Sequence, residues 1–206
     1  MITEQLIQKY PIISEQVSRE RLRVLLDGFE HVLAQGIAGD IVEFGCYIGT
    51  TSVFLRRMLD AYQQSETRVL HVYDSFAGLP PKNELDNSVV GEQFKAGELS
   101  VSKKQLLREF HKARLQPPVV HKAWFSELRP ADVPERIAFG FLDGDFYESI
   151  VDSLKLVWPR LTPGAVLAVD DFGREALPGA ERAVRTFLQG KSALLHSSHN
   201  IAIIQL

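Results

Sequence analysis

Apolar residues recur at helical spacing across residues 17–35, at Leu22, Leu25, Leu26, Phe29 and Leu33, which predicts an amphipathic helix. Gly36 and Gly39 are its stop signals. The pattern then changes to short, mostly apolar segments of the kind that form buried strands, at residues 41–44, 68–73, 119–120, 137–142 and 165–169. Helical periodicity returns between them, at residues 51–62, 102–114 and 147–158, and again at 180–188. In the third of these the apolar face holds Ile150, Val151, Leu154 and Val157. Pro159 and Pro163-Gly164 mark its end and the following turn. Two last strands, 193–196 and 201–205, are joined by a short turn around Ser198 and His199.

Strands alternating with helices predict an α/β fold: a doubly wound, mostly parallel, Rossmann-like sheet of seven strands, closed by a terminal antiparallel hairpin. The 206 residues, 45% of them hydrophobic, suit one domain over 1–206. Residues 1–38 form an amino-terminal helical segment, read as a lid or a homodimer surface. Residues 75–101 are irregular and rich in Gly, Pro and polar side chains, which is read as a lid or substrate loop.

Net charge is −3, which leaves no electrostatic footprint for nucleic acid or an anionic membrane. The basic run Lys103-Lys104-Gln105-Leu106-Leu107-Arg108 has apolar residues at helical spacing and reads as a solvated helix face. The single cysteine, Cys46, excludes an internal disulfide. No secretory pattern opens the chain and no apolar stretch is long enough for a membrane span, so a cytoplasmic location is expected.

Three motifs fall at the carboxyl ends of predicted strands, where sheets of this kind bind ligands. The first is Val42-Glu43-Phe44-Gly45-Cys46-Tyr47-Ile48-Gly49-Thr50-Thr51. Tyr47 occupies the second glycine position of a dinucleotide fingerprint, and no lysine follows as a P-loop would require. A carboxylate at Glu43 repels phosphate but suits an ammonium or sulfonium. Asp74 ends the next strand, where a carboxylate can hold ribose hydroxyls; the plainer reading is a turn cap with Ser75. The other two motifs are Leu142-Asp143-Gly144-Asp145 and Val169-Asp170-Asp171-Phe172. Four clustered carboxylates repel, so a fold that gathers them has a cation to hold or a proton to move. Turn capping would explain one such pair more simply than two in this order.

Val42-Glu43-Phe44-Gly45, Tyr73-Asp74-Ser75-Phe76-Ala77-Gly78-Leu79-Pro80, Ala123-Trp124-Phe125-Ser126-Glu127-Leu128, Leu142-Asp143-Gly144-Asp145-Phe146-Tyr147-Glu148-Ser149 and Val169-Asp170-Asp171-Phe172 follow one another along the chain. In this the sequence resembles the macrocin O-methyltransferase (TylF-like) family of class I S-adenosylmethionine-dependent methyltransferases, over roughly residues 17–188. The resemblance implies O-methyl transfer to a hydroxylated small molecule, a natural product, assisted by a divalent metal such as magnesium. It implies cofactor contacts at Glu43, Gly45, Tyr47, Gly49, Thr50, Thr51, Asp74, Ser75 and Phe76, with Trp124, Phe125 and Ser126 flanking the adenine and Asp143 close by. It assigns Asp143, Asp170 and Asp171 to the metal, and Asp143 and Asp145 to catalysis. His196 and His199 are other candidate bases. Ile48 and Thr50 stand where the family's first turn often has arginine and glycine. Two alternatives remain at this stage: metal-independent N- or C-methyl transfer, and a non-catalytic S-adenosylmethionine-binding protein.

Overall fold

A computed structural model describes residues 1–92 and 94–206. Helices α1 (Ile2–Lys9) and α2 (Arg19–Ala34) precede strand β1 (Asp40–Phe44) and helix α3 (Thr50–Ala61). Then come β2 (Leu70–Asp74), α4 (Lys103–Ala113), β3 (Val119–Lys122), β4 (Ile137–Leu142) and α5 (Tyr147–Val157). The chain ends with β5 (Leu161–Val169), α6 (Pro178–Leu188), β6 (Leu194–Ser198) and β7 (Ile201–Gln205). The seven strands form one sheet in the order β3-β2-β1-β4-β5-β7-β6. All pairs are parallel except β5 with β7 and β6 with β7. Strand order reverses between β1 and β4, so the crevice above their carboxyl ends is the expected ligand site.

Burial explains the two layers. One face of the sheet packs Ile41, Val72, Phe139, Val166 and Ile203 against α1 to α4. The other packs Val42, Phe44, Leu142, Leu167 and Ile204 against α5 and α6. The period-2 alternation thus sends neighbouring residues of each strand into different cores. The apolar face of α2, expected as a lid or dimer surface, is spent within the chain, with Leu22, Leu25, Leu26 and Phe29 almost wholly buried. Its first turn and the preceding segment nevertheless reach the crevice.

Two element boundaries differ from expectation. The amino-terminal segment holds a separate helix, α1, fixed by Glu30 of α2, whose carboxylate accepts from the Ile2 and Thr3 amides at 2.8 and 3.0 Å. Strand β5 begins at Leu161, before Pro163-Gly164, because its register on β4 jumps from Ile137↔Leu161 to Phe139↔Val166. A proline is tolerated in a strand at such a bulge.

The expected lid at 75–101 is irregular apart from a single 3-10 turn, Glu84–Asp86, and is pinned from within; Gln93, which the lid includes, lies outside the described residues. Asp86 is buried, accepts from the Asn83 amide at 3.1 Å, and caps α5 by accepting from the Tyr147 amide at 2.7 Å. It therefore ties the lid to the helix that starts two residues after Asp145. Asp86→Ala is expected to destabilise the fold by about 1–3 kcal/mol, the cost of a lost cap and an unsatisfied buried amide. Urea denaturation measures this; a loss within about 0.5 kcal/mol of zero would show that the tie contributes nothing. No helix among the described residues is long and apolar enough to cross a membrane.

Candidate active site

One open cavity of about 1000 Å³ lies above the ends of β1, β2, β4 and β5. Four of the non-glycine residues with positive φ lie where the chain turns away from these strands. Tyr47 (φ 47°), Phe76 (φ 54°), Asp145 (φ 58°) and Asp171 (φ 57°) all adopt left-handed conformations. Such angles cost on the order of 1–3 kcal/mol for non-glycine residues and concentrate at functional sites. Aspartate tolerates them better than Tyr or Phe.

The glycine turn forms one wall. Gly45 (φ 84°) passes so close to β4 that a Cβ there would fall on the Asp143 carbonyl oxygen. Asp74 braces the turn from β2: Oδ2 accepts from the Cys46 and Tyr47 amides at 3.0 and 3.3 Å, and Oδ1 accepts from the Phe76 amide at 2.7 Å. Asp74 thus serves as a turn cap while still bordering the cavity. Cys46 packs beside this carboxylate, and burial, with Asp74 adding, raises its thiol pKa, which makes it inert as a nucleophile. Glu43 is fully buried, and Ser52 Oγ donates to its Oε2. Its Oε1 and the Thr50 Oγ1 are buried with no hydrogen-bond partner among the described residues. Burial first, and then Asp74, push the Glu43 pKa up to about 8. An orphaned carboxylate oxygen in the cavity wall fits a cationic ligand group.

The acidic turns form the opposite wall. Ligand oxygens of Asp143, Asp145 and Asp171 lie within 4.8 Å of one another. Three hard oxygen donors at that separation fit a magnesium-like ion. Burial raises the pKa values of Asp143 and Asp145, and the neighbouring carboxylates raise them further. Asp170 is pushed up to about 6 by burial and Asp171, against the pull of Arg21.

The converging trio differs from the expected metal set of Asp143, Asp170 and Asp171 in having Asp145 where Asp170 was expected. Asp170 is turned to Arg21, whose Nε donates to its Oδ1 at 3.1 Å. Arg21 also donates to Asp171 Oδ1 at 2.9 Å, and Arg174 donates to the same oxygen at 2.8 Å. Both arginines line the cavity.

Of the expected cofactor residues, Glu43, Gly45, Tyr47, Thr50, Thr51, Asp74, Ser75, Trp124, Phe125 and Asp143 line the cavity together. Gly49, Phe76 and Ser126 stand outside its lining. Gly49 packs against Leu106, Phe76 joins the core, and Ser126 is exposed. Phe125 meets Phe44 edge-on at 5.2 Å, which fixes its ring at the cavity border. His196 and His199 are exposed on the terminal hairpin and outside the lining. The far wall is made by Ser14, Gln16 and Val17 before α2, and by Leu79, Pro80, Phe94 and Leu99 from the lid segment.

Known proteins resemble the chain in sequence and in fold. The chain is 36% identical over 166 residues to the 8-demethyl-8-(2,3-dimethoxy-alpha-L-rhamnosyl)-tetracenomycin-C 4'-O-methyltransferase of Streptomyces olivaceus, covering 78% of this chain and 63% of that protein. It is 30% identical over 188 residues to the mycinamicin III 3''-O-methyltransferase of Micromonospora griseorubida, covering 87% and 72%. The chain thus spans somewhat under two thirds of the first relative's length and somewhat over two thirds of the second's. The solved structure of the O-methyltransferase NovP superposes with a TM-score of 0.79 at 25% identity, over 92% of this chain and 80% of that one. CalS11, a calicheamicin methyltransferase, superposes at 0.76 and 22% identity, over 99% and 90%, a likeness of fold. The Macrocin-O-methyltransferase (TylF) family model matches residues 9–197, a span that takes in the glycine turn, Asp74 and both acidic turns. On that match the chain belongs to the Macrocin-O-methyltransferase (TylF) family.

Proposed function

We propose that this chain transfers the methyl group of S-adenosylmethionine to a hydroxyl oxygen of a small-molecule natural product, with a divalent cation, magnesium, assisting at the acidic turns. The observation that carries this reading is that Glu43 and Asp74 share one cavity with Asp143, Asp145 and Asp171. A methyl donor held by the first pair would face an acceptor held at the second group. The names of the two natural-product relatives support the acceptor class.

The chain's residues divide the work. Glu43 pairs with the cofactor's ammonium through its orphaned oxygen. Asp74 keeps the glycine turn in shape and borders the ribose, while Trp124 and Phe125 flank the adenine. Asp143 and Asp171 hold the cation with Asp145 beside them. When bound, the cation supplies Lewis acidity and orients the acceptor hydroxyl. Asp145, its pKa raised by burial and by Asp171, is the carboxylate suited to take the hydroxyl proton. The remaining requirement is positional: the oxygen must lie in line behind the methyl carbon. A metal-independent reading has one observation in its favour, since Arg21 and Arg174 already offset charge on Asp170 and Asp171.

Titration calorimetry with S-adenosylmethionine tests the cofactor half. Glu43 pairs with an ammonium only when ionised, and its pKa is about 8. Affinity should therefore rise by up to about tenfold per pH unit as pH climbs towards that value, then fall as the cofactor's own ammonium loses its proton. Glu43→Gln should weaken binding and flatten the profile. No measurable cofactor binding by the wild type would sink the proposal.

A further inference from the structure

The side chain of Arg21 joins two regions that the sequence keeps far apart. It lies in the first turn of α2, where Ser18 caps the helix by accepting from the Arg21 amide at 3.2 Å. Its guanidinium crosses to Asp170 and Asp171 and also donates to the Gln16 carbonyl at 3.4 Å. Gln16, with Ser14 and Val17, lines the cavity. One cation therefore grips the acidic centre and the amino-terminal wall of the pocket together. This is not a surface ion pair: the side chains of Arg21 and Asp171 are 15% and 3% exposed. Charge buried to this degree is weakly screened.

We propose that Arg21 is a built-in counter-cation of the acidic centre, opposed by the divalent cation, so that cation binding loosens residues 14–18 from the pocket. The inference rests on the metal-assisted reading above. Asp143, Asp145, Asp170 and Asp171 carry four negative charges when ionised, and Arg21 and Arg174 return two. A divalent cation held at Asp143 and Asp171, with Asp145 beside them, competes for Asp171, which Arg21 also grips, and repels the guanidinium at short range. Leu22, Leu25, Leu26 and Phe29 keep α2 itself on the sheet. The change is thus confined to the guanidinium and the segment before the helix. Linkage makes the effect reciprocal: removing Arg21 must strengthen cation binding by the factor with which the cation weakens the clasp.

The test titrates Mg²⁺ and Mn²⁺ into the full chain by calorimetry, with wild type, Arg21→Gln and Arg21→Lys. Arg21→Gln is expected to bind the cation about tenfold more tightly, and Arg21→Lys, which keeps the charge, close to wild type. Hydrogen exchange on the wild type should show the amides of residues 14–18 opening faster when Mg²⁺ is added. That arm stands even if Arg21→Gln folds poorly. Cation binding in wild type and variant with equal or weaker affinity in Arg21→Gln would overturn this proposal and leave the metal-assisted reading intact. Unchanged exchange in a wild type that binds the cation would also overturn it. Absence of cation binding in both proteins would overturn the metal reading and this proposal with it.

Discussion

Asp143→Asn is expected to lower methyl transfer by at least about a thousandfold, equivalent to about 4 kcal/mol of transition-state stabilisation, while making the folded chain more stable at about pH 8. The two effects share one cause. Asp143 borders both halves of the cavity and belongs to the trio of converging carboxylates. Its pKa is raised by burial and by Asp170, Asp145 and Asp171. The folded chain therefore holds this proton more tightly than the unfolded chain, and the stability so gained is lost as pH rises above the ordinary carboxylate range. Asparagine removes a charge that burial and the neighbouring carboxylates disfavour. The variant's melting temperature should exceed the wild type's at about pH 8, and the gap should close towards about pH 4. Activity is read as methyl transfer from labelled cofactor to hydroxylated acceptors. A loss below tenfold would remove Asp143 from the chemistry. Full wild-type activity in excess chelator would favour the metal-independent reading instead.

The fold was legible because each layer wrote its own period into the chain. Residues 137–142 and 165–169 are apolar on both faces, and 41–44 are so apart from Glu43, as central strands covered on both sides must be. The amino half of β5 was hidden because Pro163-Gly164 reads locally as a turn, and only pairing with β4 makes it part of a strand. The site was legible where chemistry is local: Glu43, Asp74 and the two acidic turns are all adjacent to strand ends. Arg21 left no such mark. In the run Ser18-Arg19-Glu20-Arg21-Leu22-Arg23 it is one polar position among several on an amphipathic helix, and its acidic partners lie 149 and 150 residues away. Which three of the four aspartates converge was equally out of reach. It depends on that distant arginine engaging Asp170 and on left-handed turns at Asp145 and Asp171.

Gly45→Ala should disable the cofactor wall and the acidic wall in one substitution. At φ 84° an alanine is strained whatever the space around it, and here there is none, since its Cβ would meet the Asp143 carbonyl oxygen. That oxygen cannot step aside cheaply. The Asp143 amide donates to Phe44 O at 2.8 Å, the Gly45 amide donates to Tyr73 O at 2.9 Å, and the Asp170 amide donates to Leu142 O at 2.9 Å. Relief of the clash must therefore shift β1 against β4, moving the glycine turn on one side and Asp143 on the other. Incompatible backbone geometry alone costs on the order of 1–3 kcal/mol, and the displaced sheet contacts add to it. Urea midpoints should fall, and calorimetry should show cofactor and Mg²⁺ binding weakened together, each by about tenfold or more. Gly36→Ala is the matched comparison: its φ is 64°, but no atom lies within 4 Å of the added Cβ, so it should lose some stability and keep both affinities. If Gly45→Ala lost cofactor affinity while binding Mg²⁺ as wild type does, the two walls would be mechanically independent. The close approach of Gly45 to Asp143 would then be a packing detail rather than the joint between the two halves of the site.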